Sequence, residues 1–243
     1  MRIITILLVF LLTISSWSGE YNMERELTLD AQAIKLLEID CGAGFLKVSG
    51  MQNTKEIKVQ AEIYVSDIDR DHAEEFLEKT VRLYLEQDDD RAILESEFEY
   101  RNSFWEKIFN HRPNARIDLT VFVPREIDLK IDDGSGTVLI ENINGSVWLD
   151  DGSGETTIRG IAGDVRVDDG SGELQITDIT GDVKIDDGSG EIIVRDVRGT
   201  VRVDDGSGSI KISGVSRDVI IEDDGSGRVQ ISDVEGEIVR RDD

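Results

Sequence analysis

The chain has 243 residues, with 52 Asp and Glu against 27 Lys and Arg, for a formal net charge of −25. Such a surface offers no basic stripe to a phosphate backbone, which excludes nucleic-acid binding through a basic patch. The single cysteine, Cys41, excludes an internal disulfide, so stability has to come from a buried core.

Met1 to Ser18 reads as an export signal. Arg2 is a minimal basic start, Ile3 to Ile14 form an apolar run too short to span a bilayer comfortably, and Ser16 and Ser18 are the small residues a signal peptidase prefers. The mature chain is expected to begin near Gly19 and to work in the periplasm, on the cell surface or outside the cell. An uncleaved N-terminal anchor is the alternative. No cysteine follows the apolar run, so this is not a lipoprotein signal.

Residues 19–126 are expected to form a small α+β cap. Within it, Leu37 and Ile39, then Asp40-Cys41-Gly42-Ala43-Gly44, then Leu46 and Val48 place two apolar pairs around a glycine corner. Cys41 reads there as a small residue at a turn. Glu56 to Val65 alternates as a strand, and Asp71 to Thr80 reads as a helix with Ala73, Phe76, Leu77 and Thr80 on one face. Val81 to Gln87 and Ala92 to Tyr100 look like a hairpin turned at Asp88-Asp89-Asp90. Between this hairpin and a strand at Arg116 to Val123 lies the one locally basic, aromatic segment. Phe104, Trp105, Ile108 and Phe109 recur there at one-turn helical spacing among Arg101, Lys107 and Arg112. A short helix packing its aromatics on the cap accounts for it. Contact with a membrane surface or a partner, through Trp105 and Phe109, is the competing reading.

Residues 127–243 are a repeat. Asp-Asp-Gly-Ser-Gly begins at Asp132, Asp150, Asp168, Asp186, Asp204 and Asp223, at intervals of 18 residues and finally 19. A fixed period of this size marks a solenoid, in which each rung buries its apolar face against its neighbours. Counted from the first Asp, apolar residues recur at −3, −1, +6, +8 and +11, as in Val165, Val167, Leu174, Ile176 and Ile179. The spacing of two within each pair is strand periodicity. A left-handed hexapeptide helix would need apolar residues every six positions and is excluded. Six rungs at about 4.8 Å make a stack roughly 29 Å tall. A second corner is marked by Gly145, Gly163, Gly181, Gly199 and Gly236, and the extra Glu222 in the last copy reads as a bulge. The residues at 37–48 match the same grammar, so a degenerate first rung lies near residues 35–50, separated from the other six by an insertion.

The outward position −2 carries Lys130, Trp148, Arg166, Lys184 and Arg202 beside the ladder of first aspartates. Trp148, between Lys130 and Arg166, is expected to stack on one of them as cover, with a sugar-stacking platform as the alternative. The repeats hold 28 acidic residues against 12 basic, a balance of −16.

With Gly42-Ala43-Gly44 in the first rung, Val123-Pro124, and repeated Gly-Ser-Gly followed by Ile-x-Ile-like strands, the chain from about Leu27 to Val239 resembles the bacterial "putative adhesin" family with β-strand repeats. The resemblance implies an exported envelope domain and an adhesin-like role. The doubled Asp in every complete copy is heavier than that family's polar or small turns.

The expected fold is thus all-β: a single-chain β-solenoid of 18-residue rungs with the small cap. The expected function is a non-catalytic scaffold that presents a flat acidic face to an envelope protein or polymer, without a cofactor. A second hypothesis is a calcium-dependent solenoid using Asp150, Asp151, Asp168, Asp169, Asp186 and Asp187 as hard oxygen ligands. Against it stands the simpler role of Asp as a turn cap that accepts backbone N–H bonds. A polysaccharide-active enzyme is a remote third, because no carboxylate is distinguished from its copies and the histidines, His72 and His111, lie in the cap.

Overall fold

In this computed structural model the described residues are 9–11, 20–99 and 113–241. Two ladders of strands face each other across one core, and both begin in the cap. β1 (Val9–Leu11) pairs antiparallel with β2 (Glu20–Asp30). The rest of the expected export signal, residues 1–8 and 12–18, lies outside the described residues. β3 (Leu36–Met51) is a long strand that turns through a corner at Gly42–Gly44. β4 (Glu56–Ser66) pairs antiparallel with β2, and helix α1 (Arg70–Thr80) follows. Ala73, Phe76 and Leu77 bury the apolar face of α1 against the core, and the Thr80 hydroxyl donates to the Phe76 carbonyl at 2.7 Å. β5 (Val81–Asp88) and β6 (Arg91–Phe98) form the hairpin, turned at Asp89-Asp90 with Asp89 in the left-handed region at φ 56°. β7 (Asn114–Pro124) pairs antiparallel with β4.

The insertion does more than cover the end of the stack. β6 pairs in parallel with the first half of β3, and β7 in parallel with its second half. Together they supply a rung-like partner for β3, which in turn stacks in parallel on β8 (Asp128–Ile143). The register is Leu37 to Leu129, Ile39 to Ile131, Cys41 to Asp133 and Leu46 to Val138, so residues 36–49 are the first rung. The antiparallel cap strands thereby hand over to a parallel stack without a break in the hydrogen-bonded ladders.

Each later rung adds one strand to each ladder. The first ladder continues through β9 (Val147–Asp151), β11 (Val165–Asp169), β13 (Val183–Asp187), β15 (Val201–Asp205), β17 (Val219–Asp223) and β19 (Ile238–Arg240). The second runs through β10 (Gly154–Ile161), β12 (Gly172–Ile179), β14 (Gly190–Val197), β16 (Gly208–Val215) and β18 (Arg228–Val234). Like residues stack on like: Val165 on Val183, Asp168 on Asp186, Ile176 on Val194. The register slips only between Val203 and Asp204 opposite β17, where Glu222 is the added residue. All five apolar positions face inwards, and one hydrophobic cluster extends from Met23 in the cap to Ile221. Each buried aliphatic side chain contributes about 1.5–3 kcal/mol, offset by the ordering of its own stretch of backbone.

Two backbone features make this stacking possible. At the second corner glycine the rungs touch: a Cβ on Gly172 would lie 1.8 Å from the Gly154 carbonyl oxygen, and φ there is +152°. No side chain fits. Ten residues after the first Asp, the chain kinks through positive φ at Asn142, Gly160, Asp178, Asp196, Gly214 and Asp233. Asn, Asp and Gly are the residues that tolerate this conformation, so that column was readable as a kink signal.

Candidate functional site

The alternation Val-Arg-Val-Asp-Asp sends adjacent aspartates to opposite sides of the first ladder. Asp132, Asp150, Asp168, Asp186 and Asp204 are exposed, while Asp133, Asp151, Asp169, Asp187 and Asp205 are only 0–3% exposed. Twelve aspartates therefore do not line one surface. The candidates Asp150, Asp168 and Asp186 belong to an outer column, and Asp151, Asp169 and Asp187 to an inner one. Among the described residues no group of three or more His, Cys, Asp or Glu is arranged to hold a metal ion.

The inner column caps the corners. Oδ1 of Asp151, Asp169, Asp187 and Asp205 accepts the backbone N–H of Ser153, Ser171, Ser189 and Ser207 at 3.0–3.1 Å. These are Asx turns, the simpler role considered for the repeat. Oδ2 is another matter. In Asp133, Asp169, Asp187 and Asp205 it is buried with no hydrogen-bond partner among the described residues. Desolvation pushes Asp133, Asp169 and Asp205 up to about 6, with carboxylates in adjacent rungs adding to the shift, and raises Asp187, where the neighbouring Asp186 adds to it.

Asp151 is the exception, because the Thr156 hydroxyl donates to its Oδ2 at 2.7 Å. Thr156 occupies a +6 position that is apolar in the other copies, and it is buried there. Pairing of that one polar core residue with an inward Asp was missed in sequence, where the second Asp had not been placed inside. Cys41 heads the same column: it is buried in β3 rather than exposed at a turn, and its thiol donates to Asp133 Oδ1 at 3.1 Å. Burial and the Asp133 carboxylate drive the thiol far above its usual range.

The outer face of the first ladder is the candidate site. Its middle column is Lys130, Trp148, Arg166, Lys184 and Arg202, in register across β8, β9, β11, β13 and β15. Trp148 is 41% exposed. It makes no cation–π contact with Lys130 or Arg166, which corrects the expected stacking; the described contacts of that kind are Arg82 over Tyr84 and Arg116 over Tyr64. Its ring instead separates two hollows. One, of about 490 Å³, is walled by Lys130, Asp132, Asp150, Arg166 and Asp168. The other, of about 210 Å³, is walled by Asp164, Arg166, Asp182, Lys184 and Arg202.

Charges on this face are mostly left unpaired. Asp150, Arg166, Asp168, Lys184 and Asp186 make no side-chain hydrogen bond or ion pair among the described residues. At its ends, Lys130 reaches Glu38 at 3.9 Å and Arg202 pairs with Glu222. The outer face of the second ladder differs. There Glu141 accepts from Arg159 Nη2 at 2.5 Å and from Ser49 Oγ at 2.9 Å, with Lys47 at 3.1 Å. Arg159, then the Lys47 and Ser49 donors, hold the Glu141 carboxyl down at about 2.

The other proposed contact residues, Trp105 and Phe109, with Phe104, Ile108 and His111, lie outside the described residues. His72 is on α1, its Nδ1 2.7 Å from Asp69 and remote in sequence from any repeat. No helix among the described residues is long and apolar enough to cross a membrane.

Comparison with solved structures finds distant similarities at low identity. This chain is similar to a "putative cell adhesion protein" from Clostridium sporogenes at 14% identity, with 89% of this chain and 98% of that one covered and a TM-score of 0.30. A "putative adhesin" from Parabacteroides merdae shares 14% identity over 91% and 96%, with a TM-score of 0.32. A "putative lipid binding protein" from Parabacteroides distasonis shares 12% over 90% and 97%, with a TM-score of 0.40. No protein-family model and no curated protein matches the chain.

Proposed function

We propose that this protein is a non-catalytic extracytoplasmic binding module that lays the outer face of its first ladder along an envelope protein or polymer. The observation that carries this reading is the set of unpaired charges at Asp150, Arg166, Asp168, Lys184 and Asp186, presented in register on a flat sheet face around an exposed tryptophan. Charged groups that serve only solubility are free to pair between adjacent rungs, as Glu141 and Arg159 do on the other face. The apolar run at Ile3 to Ile14 supports export, and the identical recurrence of each carboxylate supports a binding role over a catalytic one, which needs a break in regularity.

Retention of the chain from Gly19 to Asp243 on washed cell envelopes tests the reading. Wild-type protein is expected to be retained, and Arg166→Glu with Lys184→Glu to lose at least tenfold in affinity without a change in melting temperature. Equal retention of the double variant would move the binding surface elsewhere. No retention of either protein would remove the reading.

A further inference from the structure

We propose that the occupant of this face is a neutral glycan chain, stacked on Trp148 and hydrogen-bonded by the charged groups on either side. The inference rests on the binding-module reading and names its ligand. Among the described residues Trp148 is the one large aromatic side chain that is exposed, and its ring makes no stacking or cation–π contact with any of them. An aromatic face carries a partial negative charge, which complements the partly positive C–H groups on the flat side of a pyranose ring. The edge of such a ring carries hydroxyls that both donate and accept.

Both kinds of partner stand beside Trp148. Asp132, Asp150 and Asp168 accept on one side, Asp164 and Asp182 on the other, and Lys130, Arg166 and Lys184 donate along the middle. Oδ1 of Asp164 and Asp182 is already used on the backbone N–H of Asp182 and Thr200, which leaves one oxygen of each for a ligand. The two hollows meet at Trp148, so a chain crossing the ring would enter one and leave by the other.

The same geometry disfavours the other occupants. An anionic polymer would meet acidic columns on both sides of the basic one in a chain of net charge −25. A cationic peptide would meet Lys130, Arg166 and Lys184 at the centre. An extended peptide cannot add as a strand here, because the backbone of β9, β11 and β13 is already paired on both sides.

The test is titration of the chain from Gly19 to Asp243, followed by calorimetry, with hexamers of β-1,4-linked glucose, β-1,4-linked N-acetylglucosamine and α-linked mannose, and with polygalacturonate and polylysine as charged probes. At least one neutral hexamer is expected to bind. Trp148→Ala is expected to weaken it at least tenfold, Trp148→Phe to restore part of the loss, and Arg166→Ala to weaken it three- to tenfold. All three variants should melt with the wild type, since these side chains point outwards. Wild-type affinity in Trp148→Ala would overturn the proposal, as would binding of the charged probes alone. No binding of any hexamer by a protein still retained on envelopes would sink the glycan and leave the module standing. Loss of both would sink the two together.

Discussion

Asp168 and Asp169 are neighbours in sequence with opposite surroundings. The outer column, Asp132 to Asp204, stands in water and is free to meet a ligand. The inner column, Asp133 to Asp205, is buried, has one oxygen on a corner N–H (at Asp133, on the Cys41 thiol), and in four of five members has the other oxygen unpartnered among the described residues. The contrast teaches that a repeated dipeptide can be two devices, one for surface chemistry and one for the corner. A buried carboxylate without a second partner is costly when ionised, so Asp133, Asp169, Asp187 and Asp205 make the stack sensitive to pH.

The largest effect is expected where the columns are held apart. Gly172→Ala would place its Cβ 1.8 Å from the Gly154 carbonyl at a φ that alanine rarely adopts. The rungs would have to separate locally, at a cost of about 3–5 kcal/mol in urea unfolding. Gly134→Ala, whose Cβ would find its nearest atom at 3.2 Å and whose φ is unstrained, should cost far less. Equal costs for the two would mean that close approach of the rungs is not what demands glycine.

Next comes the pH dependence. The folded-state values of Asp133, Asp169 and Asp205 lie near 6, above the ordinary value of about 3.9 for an unfolded Asp. Groups shifted upwards contribute stability that is fully present below about pH 4 and is lost as pH rises through about 6. The wild type is therefore expected to melt several degrees higher at pH 5 than at pH 7.5, about 1 kcal/mol for each of Asp133, Asp169 and Asp205. Asp169, Asp187 and Asp205 changed together to Asn keep the acceptor for the corner N–H and remove the buried charge. That variant should gain stability at pH 7.5 and flatten the profile. Glu141 acts in the opposite sense, since its depressed value gives stability above the usual carboxylate range that is lost only towards pH 2.

Thr156 sharpens the comparison from within. It is the one core position where the inner carboxylate finds a hydroxyl. Thr156→Val is close in shape and removes that donor, so it should cost about 1–2 kcal/mol in urea unfolding. A variant as stable as the wild type would show that the Asp151 oxygen needs no partner.

The repeat, its five apolar positions, the bulge at Glu222, the first rung at 36–49 and the cap elements β4, α1, β5, β6 and β7 were legible in sequence, because period, alternation and turn residues are local signals. The direction of Asp169 was written in the same alternation, since it sits two residues beyond Val167. It was obscured because Asp next to Gly reads first as an exposed turn residue. The rung-like use of β6 and β7 had no local signal, for it depends on two segments separated in sequence meeting on either half of β3. The kink column at Asn142, Gly160 and Asp178 had one, in residue types that accept positive φ.

Calcium gives the smallest expected effect and bears on the outer column alone. Inner aspartates are shut away from solvent, so each rung offers an ion one free carboxylate, from Asp150, Asp168 or Asp186. Calcium takes six to eight oxygens, and with successive rungs about 4.8 Å apart an ion midway between two of them would reach only their two outer carboxylates at its ligand distance, far short of a full shell. Millimolar calcium should therefore raise the melting temperature by less than about 1 °C, and no more than magnesium does, as screening of a −25 chain would. A bound ion present at a hundred times its dissociation constant would add about 2.7 kcal/mol, a rise of several degrees. Such a rise, specific to calcium and lost when Asp150, Asp168 and Asp186 become Asn, would make the outer column a metal site. It would also require the glycan titrations to be run with the ion present, because the carboxylates could not then serve both ligands unaided.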